Sequence, residues 1–221
     1  MRVRSLIADG PSSIGARARQ SRWNLLGRTF PDLESLRVLD LGGTAYSWLA
    51  CPVRPKSVTL LNLHGAELTV RHENEELPEW FSLAAGDACD PPAEIRSNGY
   101  DLIFCNSLIE HVGGASRRRL LADFIRESSP RYWVQTPYRY FPIEPHWIFP
   151  GFQFLPLSTR AALSRRWPLM HTRAADWRGG VEAALDVELL SLTELHYLFP
   201  DAAVAKERFA GLTKSIVAYR T

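Results

Sequence analysis

The sequence has few cysteines and no excess of either charge. Only three cysteines occur in 221 residues, namely Cys51, Cys89 and Cys105. Their odd number and wide spacing argue against a disulfide framework or a zinc ribbon and favour a reducing cytoplasm. The formal net charge of +2 is too small to predict nucleic-acid binding, and we expect the run 117–119 of three arginines on the wet face of a helix.

The sequence also lacks a long hydrophobic run. No segment approaches the roughly eighteen apolar residues that are needed to cross a bilayer. The first ten residues contain Arg2 and Arg4 but no apolar stretch typical of a signal peptide. We therefore expect no membrane span and a cytoplasmic location. With 46% hydrophobic and 23% charged residues, the composition is that of a globular chain that can bury a substantial core.

Two common catalytic signatures are missing as well. A dinucleotide-dependent oxidoreductase needs Gly-x-Gly-x-x-Gly after its first strand, and Gly42-Gly43-Thr44-Ala45 does not provide it. The Gly-x-Ser-x-Gly elbow of serine hydrolases occurs nowhere in the chain. Both classes of enzyme are therefore disfavoured.

The sequence does contain short apolar strands that alternate with helical patterns. The predicted strands are 36–41, 57–63, 80–84, 100–105 and 132–136, followed by a hairpin of 202–209 and 212–219 at the sheet edge. This alternation predicts an α/β fold, doubly wound, with a mostly parallel sheet and helices on both faces. We expect a single domain over 1–221, with a helical extension at 1–35 and a substrate-covering loop at 137–156.

Polar residues or glycines follow the ends of several predicted strands. The first strand runs into Gly42-Gly43, where the missing Cβ atoms let the backbone approach a ligand closely. The second strand ends at Asn62, and the fourth ends at Asn106-Ser107. Because ligands of open α/β sheets bind outside the carboxyl ends of the strands, we expect one shared site for a nucleotide-like cofactor.

A segment rich in proline and aromatic residues follows the fifth strand. Its prolines exclude a long regular element over 138–152, and its apolar character is not that of a flexible linker. We therefore expect an ordered loop that packs over the site. Its Tyr138, Tyr140 and Trp147 are predicted to stack on the substrate or on each other, since aromatic faces suit both.

The order of these elements and their strand ends resembles the class I S-adenosylmethionine-dependent methyltransferases over about residues 36–221. The resemblance implies a seven-stranded Rossmann-like sheet with an antiparallel last strand, and S-adenosylmethionine as the cofactor. It implies that the glycine turn receives the amino-acid part of the cofactor and that Asn62 contacts the ribose. It also implies that Asp87-Ala88 lies against the adenine and that Asn106 lines the methionine end. The implied cofactor-binding residues are Asp40, Leu41, Gly42, Gly43, Asn62, Asp87, Ala88, Asn106 and Ser107. The sequence departs from the family at two positions. Thr44-Ala45 stands where the family has its third glycine, and Asn62 stands where the family usually has an acidic residue.

The block 138–156 and the run Asn106-Ser107-x-x-Glu110-His111 resemble a narrower group, the small actinobacterial sugar O-methyltransferases. These include mycobacterial mannoside O-methyltransferases that act on precursors of methylmannose polysaccharide. The resemblance implies methyl transfer to a hydroxyl of a saccharide, with a small-molecule or oligosaccharide acceptor. The alternatives are a lipid, quinone or phenolic acceptor, or a non-catalytic binding module on the same fold. The final hairpin is compatible with a homodimer.

An alcohol acceptor loses its proton during methyl transfer, so the site needs a general base or a metal ion. The candidates are His111 and His146, with Glu110 and Glu144 beside them, because a neutral imidazole accepts a proton near pH 7. Glu110-His111 is also similar to the metal-binding pair of quinone-pathway methyltransferases, which implies Mg²⁺ at these two residues. Ser107 replaces one carboxylate of that set, and Glu144 is a candidate substitute. Purely structural roles for both histidines stay open.

Overall fold

The computed structural model describes residues 14–64, 77–170 and 173–221. The strands are β1 (Arg37–Leu41), β2 (Ser57–Asn62), β3 (Phe81–Ala85), β4 (Leu102–Asn106), β5 (Tyr132–Pro137), β6 (Ile143–Glu144), β7 (Phe149–Pro150), β8 (Ala203–Phe209) and β9 (Leu212–Arg220). The helices are α1 (Ile14–Thr29), α2 (Ala45–Leu49), α3 (Ala93–Ser97), α4 (Gly114–Ser128), α5 (Leu157–Arg166), α6 (Trp177–Leu185) and α7 (Leu192–Leu198). None of the helices in these ranges is both long and apolar enough to cross a bilayer.

Seven strands form one sheet in the order β3-β2-β1-β4-β5-β9-β8. Strands β1 to β5 pair in parallel, whereas β9 pairs antiparallel with both β5 and β8. The order reverses between β1 and β4, which opens a crevice at their carboxyl ends. The predicted doubly wound fold and its final antiparallel hairpin are confirmed.

The central strand β1 shows why the sheet is covered on both faces. Successive side chains of a strand point to opposite faces. Leu39 and Leu41 therefore enter one hydrophobic core, with Leu121 and Ile125 of α4. Val38 enters the other core, where α1 packs. Each such leucine contributes about 1.5–3 kcal/mol when it is fully buried.

The predicted helix after Ser191 is confirmed together with its capping box. The Ser191 Oγ accepts from the Glu194 N–H, and the Glu194 side chain accepts from the Ser191 N–H. Helix α6 was not predicted, because the pair 179–180 of glycines lies inside it. At Gly180 a Cβ would lie 2.6 Å from the Ala161 carbonyl oxygen of α5, so this glycine allows the two helices to pack closely.

The expectation that residues 117–119 lie on the solvent-exposed face of a helix is wrong for one of the three arginines. Arg118 is buried and makes an ion pair of 2.8 Å with Glu188. Arg117 and Arg119 are exposed as expected, and Arg117 makes an ion pair with Asp87. Arg118 differs because α4 turns it toward the segment that precedes α7.

Candidate active site

The turn after β1 has no room for a side chain at either glycine. Gly42 has a φ of 74°, and a Cβ there would lie 2.8 Å from Leu108 Cδ1. A Cβ at Gly43 would lie only 1.6 Å from Asp40 Oδ2. The turn therefore packs directly on the Asp40 carboxylate and leaves its other side to the crevice.

Asp40 lies beneath this turn and is only 1% exposed. Its Oδ2 accepts a hydrogen bond of 2.7 Å from Trp48 Nε1. Burial raises the pKa of Asp40 to about 7, although the bond from Trp48 opposes the shift. Asp40, which was predicted to contact the cofactor, thus lies behind the glycines, and Leu41 is fully buried beside it.

Asn62 and Thr44 hold the same turn from its two sides. The Asn62 side-chain amide donates to the Gly43 carbonyl oxygen at 3.0 Å. Thr44 is the N-cap of α2, where its Oγ1 accepts from the Ser47 N–H. This capping role explains why a threonine can follow the two glycines. The structure places Asn62 at the predicted edge of the crevice, in contact with the turn.

Asn106 ends β4 on the other side of the crevice and contacts a residue that was not among the predicted site residues. Arg22 of α1 donates to Asn106 Oδ1 at 2.9 Å and pairs with Glu207 of β8. The next residue, Ser107, has a φ of 56° and donates to Gln135 Oε1 at 2.9 Å. Helix α1 therefore reaches the crevice through Arg22, a contact that no local sequence pattern indicates.

Asp87 follows β3, at the outer end of the same edge. Arg117 Nη2 contacts both of its carboxylate oxygens, at 2.8 and 2.7 Å, and the Cys89 N–H donates to Oδ1. Burial raises the pKa of Asp87, but these hydrogen bonds outweigh it and hold the pKa below its usual value. The neighbouring Ala88 is buried, at 8% exposure.

The two predicted catalytic histidines meet. His111 Nε2 lies 3.1 Å from His146 Nε2, and the two rings are nearly perpendicular at 84°. The other nitrogen of each ring contacts a carboxylate: His146 Nδ1 lies 2.6 Å from Glu144 Oε1, and His111 Nδ1 lies 3.4 Å from Asp186 Oδ2. Asp186 was not predicted, because it is 75 residues from His111.

Glu110 lies beneath this pair and is 1% exposed. Its Oε2 accepts from Thr136 Oγ1 at 2.9 Å, while Oε1 has no hydrogen-bond partner among the described residues. Burial raises the pKa of Glu110, although the nearby His111 opposes the shift. Donor atoms of Glu110, His111 and His146 all lie within 4.8 Å of one another, so these three residues can hold a metal ion.

Glu144 lies behind His146 and does not join this group. Its Oε2 accepts from the Trp147 N–H at 2.9 Å, and its Oε1 contacts His146 Nδ1. Burial lowers the pKa of His146, but the carboxylate of Glu144, with Glu110 and Asp186, raises the pKa above its usual value. The expectation that Glu144 replaces a missing metal ligand is therefore wrong, since both of its oxygens face other partners.

The three predicted acceptor-stacking aromatics have different environments. Trp147 is 3% exposed, stacks on Phe152 and donates to Ser164 Oγ, so it stabilises the loop and offers no free face. Tyr140 is 58% exposed and stacks on Phe154, which is 57% exposed. Tyr138 contacts the edge of Tyr140. Tyr140 is thus available to a ligand, whereas Tyr138 is half-buried against the core and Trp147 is buried.

These positions lie along one edge of the sheet. The glycine turn, Asn62 and Asn106 follow β1, β2 and β4, and the histidine cluster lies just beyond β4 and β5. A comparison with protein-family models and with curated proteins finds no match.

Solved structures match the chain over most of its length. A protein of Nostoc punctiforme PCC 73102, classed provisionally as an O-methyltransferase, is 16% identical with a TM-score of 0.54, over 93% of this chain and 57% of that one. Magnesium protoporphyrin IX methyltransferase of Synechocystis PCC 6803, with bound SAH, is 13% identical with a TM-score of 0.54. The match covers 100% of this chain and 93% of that one. The chain has a class I methyltransferase fold.

A third structure of this fold was determined in the presence of a sugar. The N-terminal domain of EvdMO1, in the presence of SAH and D-fucose, is 17% identical to this chain with a TM-score of 0.52. The match covers 92% of this chain and 82% of that domain. In this chain the glycine turn and Asn106 follow β1 and β4, the two neighbouring strands between which the order of the sheet reverses.

Proposed function

We propose that this protein transfers the methyl group of S-adenosylmethionine to a hydroxyl oxygen of a small acceptor. One observation carries the proposal: a proton-accepting cluster lies at the same sheet edge as the glycine crevice. His111 and His146 contact each other there, in the segments that follow β4 and β5. A fold alone does not establish an activity, but this placement of chemistry beside a cofactor crevice supports one.

The crevice supplies the binding surface for the cofactor. The turn at Gly42-Gly43 presents backbone without side chains, and Asn62 and Asn106 border it with polar groups. Methyl transfer from a sulfonium is an in-line displacement, for which correct positioning of the reactants contributes about 7–11 kcal/mol. The residues of this edge therefore act mainly by orientation.

The histidine cluster supplies the path for the acceptor's proton. As the new carbon–oxygen bond forms, the carbon–sulfur bond breaks with its electron pair left on sulfur, and the hydroxyl proton must leave. His111 and His146 are partly exposed, with side-chain exposures of 29% and 27%, so an acceptor can reach them. Glu144 orients His146 through Nδ1, and His146 Nε2 lies 3.1 Å from His111 Nε2, so a proton taken by one imidazole can pass to the other.

A saccharide is the acceptor that we favour. Tyr140 and Phe154 form an exposed, stacked aromatic surface on the segment that carries His146, and aromatic faces bind the apolar side of a sugar ring. The N-terminal domain of EvdMO1, whose structure was determined in the presence of SAH and D-fucose, has a similar fold. A mannoside precursor of a polymethylated polysaccharide is the specific acceptor to test first, with lipid, quinone and phenolic hydroxyls as alternatives.

Calorimetric titration with S-adenosylmethionine tests the cofactor, with NADH as the negative control. We expect saturable binding of the methyl donor alone. Gly43→Ala should abolish it, because the new Cβ overlaps Asp40 Oδ2. Gly27→Ala is the matched control: this glycine lies inside α1 with nothing within 4 Å of its Cβ position, so binding should be retained. Binding of neither cofactor by the folded wild type would overturn the proposal.

Transfer of a labelled methyl group tests the acceptor. Methylated mannosides, simple phenols and reduced quinones are offered in parallel at equal concentrations. Label in the mannoside fraction supports the saccharide acceptor, and label only in a phenol or quinol assigns the alternative. Cofactor binding without transfer to any class would favour a non-catalytic binding module.

A further inference from the structure

Two imidazole nitrogens of the same type face each other in this site. His111 Nε2 and His146 Nε2 are 3.1 Å apart. Two nitrogen ligands of one tetrahedral ion, each bonded at about 2.0–2.1 Å, lie roughly 3.3 Å apart. The observed separation is therefore close to that of two ligands of one metal ion.

Carboxylates contact the outer nitrogen of each ring. Glu144 Oε1 lies 2.6 Å from His146 Nδ1, and Asp186 Oδ2 lies 3.4 Å from His111 Nδ1. Metal-ligating histidines nearly always donate their second ring N–H to a carboxylate or carbonyl group, which fixes the ring and leaves the first nitrogen for the metal. Both histidines have this arrangement, and it directs both Nε2 atoms inward.

The third group is a buried carboxylate with a free oxygen. Glu110 is 1% exposed, and its Oε1 has no hydrogen-bond partner in the described part of the chain. An unpaired polar atom costs free energy when it is buried, so a partner is expected. The donor atoms of Glu110, His111 and His146 lie within 4.8 Å of one another, so the three side chains converge on one place.

We propose that Glu110, His111 and His146 bind one divalent transition-metal ion of the zinc, cobalt or iron(II) type. Two imidazoles and one carboxylate suit these ions, whereas Mg²⁺ prefers oxygen ligands and retains water. Three protein ligands leave at least one open coordination position. The partly exposed side of the two imidazoles is where that position lies.

The role of this ion in methyl transfer rests on the proposed function, but metal binding itself does not. An acceptor hydroxyl in the open position has its pKa lowered by the ion, as water has at zinc sites. It releases its proton to solvent, its oxygen forms the bond to the methyl carbon, and the carbon–sulfur electron pair stays on sulfur. With the ion bound, the histidines act as metal ligands, and solvent takes the proton that the two imidazoles accept in the metal-free site.

The test is a titration of the tag-free, chelator-treated full chain with Zn²⁺, Co²⁺ and Mg²⁺. We expect one equivalent of Zn²⁺ or Co²⁺ to bind at micromolar or lower concentration. Bound Co²⁺ should show the visible absorption band of an ion with a low coordination number, and Mg²⁺ should bind at least 100-fold more weakly. Elemental analysis of the protein as purified reports which ion it carries.

Variants identify the ligands independently of activity. His111→Ala, His146→Ala and Glu110→Gln should each weaken Co²⁺ binding at least 100-fold and remove the band, while circular dichroism verifies folding. Glu144→Gln should weaken binding about 10–100-fold, as outer-shell substitutions do. His196→Ala is the matched control, since this histidine is exposed on α7, and it should bind one equivalent unchanged.

Two results would overturn the proposal. One is a folded wild type that binds neither Zn²⁺ nor Co²⁺ at micromolar concentration, and the other is unchanged Co²⁺ binding in the folded double variant of both histidines. S-adenosylmethionine binding is measured on the metal-free protein in parallel. If the protein binds S-adenosylmethionine but no metal ion, the metal site alone is overturned. If the folded protein does not bind S-adenosylmethionine, the proposed function is overturned.

Discussion

At the scale of single residues, a few polar groups inside the protein carry much of the specificity of the site. Asp40 supports the glycine turn from below and bonds to Trp48. Glu110 supports the histidine pair in a similar way and bonds to Thr136. Each carboxylate has one oxygen without a partner among the described residues, and each is buried. Such groups cost stability while they position the backbone and side chains that face the ligand.

Asp40→Asn should change how stability depends on pH. The pKa of Asp40 in the folded protein, about 7, lies above its usual value of 3.8. Below that lower value both states are protonated, and the contribution of Asp40 to stability is fully present. Between about pH 4 and pH 7 the unfolded state releases its proton while the folded state keeps it. The free energy of unfolding should fall by up to about 1.4 kcal/mol per pH unit from this group, and level off above the folded pKa.

Urea unfolding of the wild type and Asp40→Asn at several pH values measures this effect as a difference. The other carboxylates contribute equally to both proteins, so they cancel. The asparagine keeps an oxygen that accepts from Trp48 and cannot ionise. Parallel stability curves across about pH 4 to 7 would show that Asp40 is already ionised in the folded protein.

At the scale of elements, α1 and the final hairpin are joined at the edge of the crevice. Arg22 and Glu207 form a two-point ion pair, at 2.9 and 3.0 Å, with side-chain exposures of 14% and 16%. The same arginine contacts Asn106 at the end of β4. One side chain thus connects a helix, an edge strand and the switch point, and its position depends on the packing of Trp23 against Phe104.

A double-mutant cycle of Arg22→Met and Glu207→Gln should give a coupling energy of about 1–3 kcal/mol, measured by urea unfolding. The pair is mostly buried, so loss of one partner leaves the other uncompensated. Arg178 and Glu182 of α6 are the control pair, because they are 89% and 63% exposed at the same kind of distance, 2.9 Å. Their coupling should not exceed about 0.5 kcal/mol. Equal coupling in both cycles would contradict a structural role for Arg22.

At the scale of the whole molecule, the sheet separates two hydrophobic cores and brings the candidate site together at its carboxyl edge. One core contains α4 and α7, and the other contains α1 and α2. The crevice proposed for the cofactor lies at the switch point of the sheet, between β1 and β4. A ligand in this crevice contacts elements of both halves, so its binding free energy stabilises the domain as a unit.

S-adenosylmethionine at about 100 times its dissociation constant should therefore raise the free energy of unfolding by about 2.7 kcal/mol. For a chain of this size that corresponds to a rise in Tm of roughly 5–11 °C, measurable by scanning calorimetry. The Tm of Gly43→Ala should not rise with S-adenosylmethionine, whereas the Tm of Gly27→Ala should rise as much as that of the wild type. An equal rise in both variants would place the ligand outside the glycine turn.

The sequence by itself determined the strands, the glycine turn and the order of the elements, because these follow from local periodicity and backbone chemistry. It also indicated His111 and His146 as candidate catalytic residues. Only the tertiary structure decided that they meet, that Asp186 contacts one of them, and that Glu144 lies behind the other. Contacts between side chains 35 and 75 residues apart depend on how the loop after β5 packs. That packing rests on the buried Trp147, which no local pattern separates from an exposed aromatic residue.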